Sequence, residues 1–488
     1  MEYHTGDTLE LELSGLSADG RAVGRSAEGM TVFVRGGLPG QKVAARLTGV
    51  KKRMAEAEVA GVLQHAKEER PSPCPHGESC GGCPWQNMPY ALQLDWKRRI
   101  VRDCLQRIGR LDLPEEKILP VLSCGEEAQW NYRNKMEFAF AADREGNTLL
   151  GLRERASRSI TEVKACRLQS ERTMAVLDEL RRLCNKYRLH AAAARQTGRR
   201  PRHASFSRSV RQNDILRFAV IREPLAGGCL VELITLPSPQ EAGTLRRLGQ
   251  ELMEGPHGVT GFVHSIRRSE SDVAYGEETA FTLGETQISE TLHLQGRDVS
   301  FRLDHNSFFQ VNSRAAELLY NRAAELASSM SAGGTDGIWG ETCWDIYCGA
   351  GGLALTMAPH FRQIFGLEVV APAVELAREN ALHAGGETTF RFETGDAAKL
   401  ERCFSRMGTP DLLVTDPPRA GMDENTVKAI LRHLPPRLVL VSCNPATLAR
   451  DLALLAPAYH IRAVQPVDLF PQTPHVETLA ALETGQRS

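Results

Sequence analysis

A single cysteine, Cys443, stands where an apolar run stops and a helix is predicted to begin, in the segment LVLVSCNPATLARDL at 438–452. Residues 438–441 predict a core strand, and residues 447–455 predict an amphipathic helix. A thiol at the carboxyl end of a strand faces outward near the positive end of the next helix, which can lower its pKa toward reactivity. The alternative is a small buried cysteine, which is the commoner role of a lone cysteine.

A glycine-rich turn and an acidic residue form a second pattern. The segment CWDIYCGAGGLALTMA (343–358) predicts a strand, a turn that begins at Gly349, and a helix. Glycines in such a turn allow a ligand to approach the backbone closely. Nineteen residues later, Glu368 ends the next predicted strand, where its carboxylate can accept both ribose hydroxyls of a nucleotide-like cofactor. NAD and S-adenosylmethionine both fit this pattern.

Two further carboxylates favour S-adenosylmethionine. Asp396 follows the third predicted strand in FRFETGDAAKL (390–400), where it can accept the amino group of adenine. Asp416 ends the fourth strand in LLVTDPPRAGMD (412–423), and two prolines stiffen the turn after it. Dehydrogenases have no evident need for Asp-Pro-Pro at this place. Asp416 could also serve only to cap a turn, but its position at the carboxyl edge of the sheet favours ligand binding.

Three cysteines lie close together in the segment SPCPHGESCGGCPWQ at 72–86. Cys74, Cys80 and Cys83, interleaved with glycine and proline, can wrap around one metal centre. Four thiolates suit zinc, but the usual zinc pairing of two C-x2-C units is missing, which favours an iron–sulfur cluster. His76 could also be a ligand, although a solvated loop histidine is the commoner case.

Such a centre needs a fourth ligand, for which we select Cys166 in TEVKACRLQ (161–169). Cys104, which the helical pattern turns inward, and Cys124 are the alternatives. The chain has 12 cysteines, and its first residues, MEYHTGDTLE, carry no export signal. This combination indicates reduced thiols, a metal site or catalysis in a reducing cytoplasm, and not a disulfide framework.

The composition is that of a globular chain with several domains. Of its 488 residues, 42% are hydrophobic and 24% are charged, and the length predicts two to four domains. No apolar run approaches the ~20 residues that a membrane span needs. The net charge of −1 neither favours nor excludes a polyanionic partner, but residues 181–220 hold eleven Arg or Lys against one acid, Asp214. Such a run is equally well a solvated loop or an RNA-contacting patch.

The predicted elements fall into three regions. Residues 1–62 have short alternating runs and glycine turns, which predict four or five strands in a small OB-type barrel. A helix is predicted at 91–109, with this apolar face: Leu92, Trp96, Ile100, Leu105 and Ile108. Residues 130–300 mix strands and helices. From about residue 301, strands and helices alternate, which is typical of a doubly wound parallel sheet.

These segments together resemble the RNA (uracil-5-)-methyltransferase family, and more closely its ribosomal branch. The match also includes FFQVN (308–312) and LFPQTPHVETL (469–479). The resemblance implies an α/β fold in three parts. They are an OB-type TRAM barrel that binds RNA at 1–62, a central α+β domain with a [4Fe-4S] loop at 63–300, and a Rossmann-like S-adenosylmethionine-dependent methyltransferase domain at 301–488.

Carried over residue by residue, the resemblance makes Cys443 the nucleophile and Glu477 the base. It places five residues around the cofactor, with Asp416 also near the uracil: Gln310, Tyr347, Glu368, Asp396 and Asp416. It makes four cysteines the cluster ligands: Cys74, Cys80, Cys83 and Cys166. The family tail often reads His-Thr-Gly-His before the glutamate, whereas this chain has Gln-Thr-Pro-His at 472–475. That departure concerns the shape of the loop before the base.

The implied reaction is S-adenosylmethionine-dependent methylation of carbon 5 of a uridine in 23S ribosomal RNA, through a cysteine adduct at carbon 6. The protein is expected to act in the cytoplasm as a monomer, without a membrane or an obligate protein partner. Transfer RNA is the alternative substrate for the same chemistry. A non-catalytic RNA-binding assembly factor or a redox-sensing iron–sulfur protein would also fit part of the pattern. The intact Cys443 and Glu477 argue against the assembly factor.

Overall fold

The structure, a computed structural model, describes residues 3–143, 145–155, 157, 159–192, 213–331 and 337–485. Residues 193–212 therefore lie outside the described residues, and they are the middle of the basic run at 181–220 that was interpreted as either a solvated loop or an RNA-contacting patch. Within the described ranges, the helices are all too short or too polar to cross a membrane.

The chain begins with a closed β-barrel. Its strands are β1 Thr8–Leu16, β2 Ala22–Arg25, β3 Thr31–Arg35, β4 Lys42–Lys51 and β5 Met54–Gln64. They close in the order β1-β2-β3-β5-β4. Successive residues of a strand face opposite sides, so that Leu11 and Leu13 of β1 and Val32 and Val34 of β3 point into the barrel and are buried. The predicted small barrel is confirmed.

The helix expected at 91–109 is α1, Tyr90–Arg107. The predicted apolar face is only partly correct, because Ile108 is 50% exposed whereas Gln93 and Lys97 are fully buried. Both polar side chains have partners in a loop near the carboxyl terminus of the chain. A buried polar group is stable when it is paired, and here those partners, more than hydropathy, decide which face of the helix is buried.

A mostly antiparallel sheet forms the centre of the chain. Its strands are β6 Lys135–Ala142, β7 Thr148–Arg153, β8 Ile160–Glu162, β9 His190–Ala191, β10 Asp214–Arg222, β11 Leu230–Thr235, β12 Gly261–Ile266 and β13 Glu278–Gly284. The strand order is β13-β12-β11-β10-β6-β7-β8, and β9 pairs with β10. Helices α2 (Glu171–Lys186) and α3 (Ala242–Glu254) pack on one face of this sheet and share its apolar core.

A two-stranded hairpin follows the central sheet. It consists of β14 Gln287–Leu294 and β15 Arg297–Asp304, paired antiparallel. The next helix, α4, spans Ser313–Ser329 and packs against β14. The segment between β15 and α4 carries the predicted FFQVN motif, so the hairpin places that motif beside the sheet that follows.

The last region is an α/β unit with a seven-stranded sheet. Its strands are β16 Gly340–Ile346, β17 Phe361–Glu368, β18 Thr389–Thr394, β19 Leu412–Thr415, β20 Arg437–Ser442, β21 Tyr459–Val467 and β22 Glu477–Thr484. Its helices are α5 Gly352–Met357, α6 Ala371–Ala384, α7 Leu400–Met407, α8 Glu424–His433 and α9 Pro445–Leu455. The strand order is β18-β17-β16-β19-β20-β22-β21, and the first five of these run parallel.

Both faces of this sheet are covered. Leu438 and Leu440 of β20 face a core shared with α1, α7, α8 and α9, whereas Val439 and Val441 face a core shared with α4, α5 and α6. A strand buried on both sides reads as a continuous apolar run, which is why the sequence pattern identified it. The predicted doubly wound parallel sheet is confirmed. The limits proposed for the three domains, at 62 and 300, stay a prediction.

Candidate active site

The carboxyl ends of the parallel strands β16, β17, β19 and β20 meet at one edge of the sheet. Strand β22 runs antiparallel to β20, so it begins at the same edge. In the register of this pair, Ser442 lies opposite Thr478, and continuing it by one residue places Cys443 opposite Glu477. The two residues to which the resemblance assigns the covalent chemistry are therefore neighbours because of strand pairing.

The glycine turn and Glu368 form one cradle at this edge. The backbone N–H of Gly349 donates to Glu368 Oε2 at 3.2 Å, and the N–H of Val370 donates to Oε1 at 2.9 Å. Gly349 and Gly351 have φ values of +51° and +92°. A Cβ atom built on Gly349 would have no neighbouring heavy atom within 4 Å. The carboxylate is thus fixed next to open space, which fits the ribose of a nucleotide-like cofactor.

Three other predicted cofactor residues differ in their surroundings. Tyr347 precedes the turn with a φ of +68°, and its hydroxyl lies 3.5 Å from Thr426 Oγ1. Asp396 is exposed after β18, and its carboxylate caps a short 3₁₀ turn by accepting the N–H of Ala398 at 2.9 Å. Gln310 is buried before α4, and its backbone carbonyl accepts from Asn134 at 3.0 Å.

Cys443 is half-buried between β20 and α9. Asn444 caps the helix by accepting the N–H of Ala446 at 3.1 Å. The prediction that the end of the following helix lowers the pKa of Cys443 is wrong for the protein without bound RNA. Burial, and then the nearby carboxylates Glu477 and Asp416, raise the pKa of Cys443 to about 11. The positive end of α9 does not outweigh these effects, so the resting thiol keeps its proton.

Glu477 and Asp416 are carboxyl groups with raised pKa values beside this thiol. Glu477 is 4% exposed. Burial, and then the charge of Asp416, raise the pKa of Glu477 to about 8, while Arg419 opposes the change. Burial raises the pKa of Asp416 to about 6. A carboxyl group with a pKa near neutrality can exchange a proton during a reaction at neutral pH.

Arg419 is a residue of this site to which the sequence analysis gave no role. It lies in the quoted segment TDPPRAG, follows the two prolines, and lies near the Cys443 thiol, where its charge works against the raised pKa of that thiol. Its guanidinium also donates to His475 Nδ1 at 3.0 Å. The stiff Asp-Pro-Pro turn that was predicted to fix Asp416 also fixes this cation. The place of Arg419 in the TDPPRAG motif was the feature of the sequence that could have identified it as a site residue.

A cavity of about 950 Å³ lies between the barrel, the cysteine segment and the central sheet. It reaches Phe308, which lies in the segment after β15 and is 74% exposed, and Pro474 in the loop before β22. Its basic lining residues include Arg21, Arg35, Arg133, Arg153, Arg155 and Arg167. Basic groups with accessible aromatic rings are the combination that binds single-stranded nucleic acid.

The four predicted cluster cysteines line the same cavity. Burial, and then Cys166, Cys80 and Cys74 in that order, raise the pKa of Cys83, so that the four thiols interact with one another. Among the residues that the structure describes, however, no three His, Cys, Asp or Glu side chains are close enough to hold a metal ion. The donor set, four thiols that interact with one another, is that of a four-thiolate centre.

The competing ligands are engaged elsewhere. His76 Nε2 accepts the backbone N–H groups of Lys164 at 3.1 Å and Ala165 at 3.4 Å. This ring therefore fastens the segment that carries Cys166 to the cysteine segment. Cys104 is buried within α1, and the pKa of Cys124 is raised by burial and then by Asp468. These contacts favour Cys166 as the fourth member of the group.

Comparison with known proteins agrees with this architecture. The family model for tRNA (uracil-5-)-methyltransferase matches residues 271–484, and the TRAM domain model matches residues 4–60. An uncharacterized RNA methyltransferase of Nitratidesulfovibrio vulgaris is 42% identical, covering 99% of this chain and 97% of its own. One of Halalkalibacterium halodurans is 32% identical, covering 98% and 97%.

A solved structure has the same fold. The tRNA (uracil-54, C5)-methyltransferase of Pyrococcus abyssi, in complex with S-adenosyl-L-homocysteine, superposes with a TM-score of 0.70 at 24% identity. The match covers 97% of this chain and 100% of that one. From its relatives and matched domain models, the chain belongs to the S-adenosylmethionine-dependent RNA (uracil-5-)-methyltransferase family.

Proposed function

We propose that this protein methylates carbon 5 of a uridine in 23S ribosomal RNA, acting as a monomer and giving 5-methyluridine. The observation that carries the proposal is the arrangement of Cys443, Glu477, Asp416 and Arg419 at one sheet edge. The cradle formed by Gly349 and Glu368 lies at the same edge. A nucleophile, a base and a cofactor cradle, all from one chain, are what this reaction requires.

The cysteine supplies what uracil lacks. Carbon 5 of the ring is too weak a nucleophile to take a methyl group unaided. The Cys443 thiol loses its proton to solvent and its sulfur forms a bond to carbon 6, while the electron pair of the C5–C6 double bond moves to give an enolate with density on carbon 5. The positive charge of Arg419 lowers the pKa of this sulfur and so stabilises the thiolate.

S-adenosylmethionine, when bound, would supply an electrophilic methyl group to carbon 5, and its sulfur would keep the electron pair of the broken S–CH3 bond and leave as S-adenosylhomocysteine. Glu368 and Gly349 would hold the ribose, and we assign Gln310, Tyr347, Asp396 and Asp416 to the remainder of that cofactor. Asp416 lies beside both the thiol and Glu477, so it also borders the uracil in this proposal. Holding two reactants in line is itself a large part of the rate enhancement.

Glu477 completes the cycle. After methylation, carbon 5 still carries its proton, and the Glu477 carboxylate removes it. The freed electron pair re-forms the C5–C6 double bond, the bond to sulfur breaks, and Cys443 leaves as a thiolate. A carboxylate with a pKa of about 8 is a stronger base than an ordinary one, and the fraction of Glu477 in this ionised form rises as the pH approaches 8.

We assign RNA binding to the basic cavity, whose lining reaches Pro474 in the loop before Glu477. A base inside a helix cannot reach the cysteine, so the target uridine must leave its stack. The cavity, lined by Arg133 and Arg153 and bordered by the exposed ring of Phe308, could hold the neighbouring nucleotides. We also propose that Cys74, Cys80, Cys83 and Cys166 hold a [4Fe-4S] cluster at one wall of it.

Transfer RNA is the second candidate substrate. The specific observation in its favour is the fold likeness to an archaeal enzyme that is named for a transfer RNA uracil. The cysteine cluster, which resembles that of the ribosomal branch, favours 23S ribosomal RNA.

Mapping of 5-methyluridine separates these substrates. RNA from a strain without this protein should lack 5-methyluridine at one or more positions in the 23S molecule, and a plasmid copy should restore it. The Cys443→Ala variant should not restore it. Loss confined to transfer RNA would replace the ribosomal substrate, and unchanged 5-methyluridine in both RNAs would contradict the proposed reaction.

A further inference from the structure

The segment 468–476, which we call the base loop, joins β21 to β22 and delivers Glu477 to the active-site edge. Asp468 at its start and Gln472 at its centre are each 1% exposed. A loop buried in this way must satisfy its polar groups with protein partners. The identity of those partners shows which parts of the molecule fix the position of the base.

Helix α1 supplies several partners from one face. Tyr90, Gln93 and Lys97 are spaced three and four residues apart, so they lie above one another on the helix. Lys97 Nζ lies 2.5 Å from Asp468 Oδ1 and 3.0 Å from the carbonyl oxygen of Phe470. The Tyr90 hydroxyl donates to the other carboxylate oxygen of Asp468 at 2.8 Å. The start of the base loop is thereby fixed to the helix.

Gln93 and Gln472 form a reciprocal pair at the centre of the loop. Gln93 Oε1 accepts the backbone N–H of Gln472 at 2.9 Å, and Gln93 Nε2 donates to Gln472 Oε1 at 2.9 Å. Gln472 has a φ of +70°, in the left-handed region that residues with a side chain seldom adopt. The two bonds to Gln93 hold a backbone conformation that is unfavourable by itself.

The same amide joins the loop to the cysteine segment. Gln93 Nε2 also donates to the carbonyl oxygens of Trp85 at 3.2 Å and Met88 at 2.9 Å. The backbone N–H of Trp85, two residues after Cys83, donates to the carbonyl of Gln472 at 3.0 Å. Gln93 therefore connects α1, the cysteine segment and the base loop in one hydrogen-bonded group.

The barrel also contacts the base loop. Gly20, in the turn between β1 and β2, has a φ of +80°, and a Cβ built on it would lie 2.4 Å from Cβ and Cγ of Pro474. Only glycine allows the two segments to approach this closely. Pro474 and Gln472 are the two positions at which this chain departs from the His-Thr-Gly-His tail of the family it resembles.

We infer that Gln93 is a positioning residue for Glu477, acting through the base loop to set where the carboxylate meets carbon 5 of the uracil. The inference rests on the proposed function, in which Glu477 is the base. A displacement of about 1 Å at a catalytic group can cost about 10²-fold in rate. The contacts of Gln93 described above involve neither Cys443 nor the Gly349 turn, so its loss slows proton removal more than the earlier steps.

The variant Gln93→Leu tests this, because it keeps the side-chain volume and removes both hydrogen-bonding groups. With S-adenosylmethionine and total RNA from a strain lacking the protein, the covalent protein–RNA adduct seen on denaturing gels should increase about 10-fold. Release of tritium from RNA labelled at carbon 5 of uridine should become slower by a similar factor. The affinity for S-adenosylmethionine should stay within about twofold, since the cradle is untouched.

A matched control removes a different hydrogen-bond partner of the Gln472 side chain. Gln129 Oε1 accepts from Gln472 Nε2 at 2.8 Å, which holds the side-chain amide but not the backbone of the loop. The variant Gln129→Leu should therefore leave the adduct near the level of the unchanged protein. If Gln93→Leu folds poorly, Gln93→Asn keeps both hydrogen-bonding groups on a side chain that is one carbon shorter, and it should give a smaller rise in adduct.

Glu477→Gln distinguishes failure of the inference from failure of the proposed function. An adduct that accumulates in Glu477→Gln but not in either Gln93 variant would overturn the positioning role alone. Equal losses in cofactor binding, adduct formation and proton release, together with a lower Tm, would make Gln93 purely structural and overturn the inference too. Absence of adduct in Glu477→Gln would instead contradict the base assignment on which the inference rests.

Discussion

Cys443 and the four cysteines of the cavity (Cys74, Cys80, Cys83 and Cys166) are placed by different kinds of structure. Cys443 follows a buried strand, and the register of β20 against β22 puts Glu477 beside it. The cavity cysteines lie outside the named helices and strands, and Cys166 comes from a segment far along the chain from the other three. One site depends on sheet geometry, and the other on contacts between distant turns.

The thiols also differ in what surrounds them. After burial, the pKa of Cys443 is raised by two carboxylates and opposed by Arg419, whereas the pKa of Cys83 is raised by three other thiols. A thiol among proton-exchanging groups suits a reaction in which it gains and loses a proton. Thiols grouped together suit a shared cation, which deprotonates its ligands on binding. The comparison predicts that the two sites can be disabled separately.

The largest expected effect is that of Cys443→Ala. Methyl transfer should fall by about 10⁴-fold or more, because no other group can form the bond to carbon 6. Iron content and RNA affinity should match those of the unchanged protein. Activity can be followed as transfer of a radiolabelled methyl group to RNA, and turnover at the normal rate would remove Cys443 from the mechanism.

The variant Cys83→Ser should disable the cysteine cluster and leave the cofactor site intact. A hydroxyl is a poor ligand for iron, so iron should fall from about four atoms per chain to near zero, with loss of the broad visible absorbance. Binding of S-adenosylmethionine should be unaffected because Glu368 and the Gly349 turn lie in another unit. Elemental analysis and calorimetric titration measure the two quantities. A colourless protein that contains zinc before mutation would contradict the iron–sulfur assignment.

A smaller change should follow Glu368→Gln. The carboxylate is held by the N–H groups of Gly349 and Val370, and a charged acceptor contributes about 1.5–3 kcal/mol per hydrogen bond. The affinity for S-adenosylmethionine should therefore weaken about 10- to 100-fold, as measured by titration. The cluster absorbance serves as the internal control and should not change. Unaltered affinity would show that the ribose is not bound by Glu368 and the Gly349 turn.

The smallest effect concerns stability. The pKa of Glu477 is about 8 in the folded protein against 4.5 for a free side chain, so between these values the folded state binds more protons. Stability contributed by this group is therefore lost as pH rises from about 4.5 to 8, by about 3 kcal/mol at pH 7. Glu477→Gln should raise the Tm by a few degrees at pH 7 and by less at pH 5. A Tm difference that does not depend on pH would contradict the raised pKa.

Local patterns predicted the parts of this molecule that regular structure positions. The buried run before Cys443, the glycine turn with Glu368 and the alternating strands of the barrel were all visible because strand and turn periodicity appear in the sequence. Glu477 was assigned through resemblance, since nothing local distinguishes it. Glu477 lies opposite Cys443 because β22 pairs with β20, and no local sequence pattern predicts that pairing.

Other features depend on contacts that the sequence pattern does not contain. The predicted apolar face of α1 did not include Lys97, whose buried partner Asp468 lies near the other end of the chain. The pKa of Cys443 was expected to be low from the helix end alone, whereas burial and two carboxylates from other strands raise it. In both cases the decisive group comes from a distant part of the sequence and was invisible to spacing arguments.

The most direct test of the central claim is to identify the atom that bonds to RNA. RNA containing 5-fluorouridine carries a C–F bond in place of the C–H bond that Glu477 would break, so the methylated adduct cannot be released. After incubation with S-adenosylmethionine and digestion, mass spectrometry should find a methylated fluorouridine nucleotide attached to Cys443. Attachment to another cysteine, such as Cys83, or no covalent product at all, would contradict the proposed chemistry.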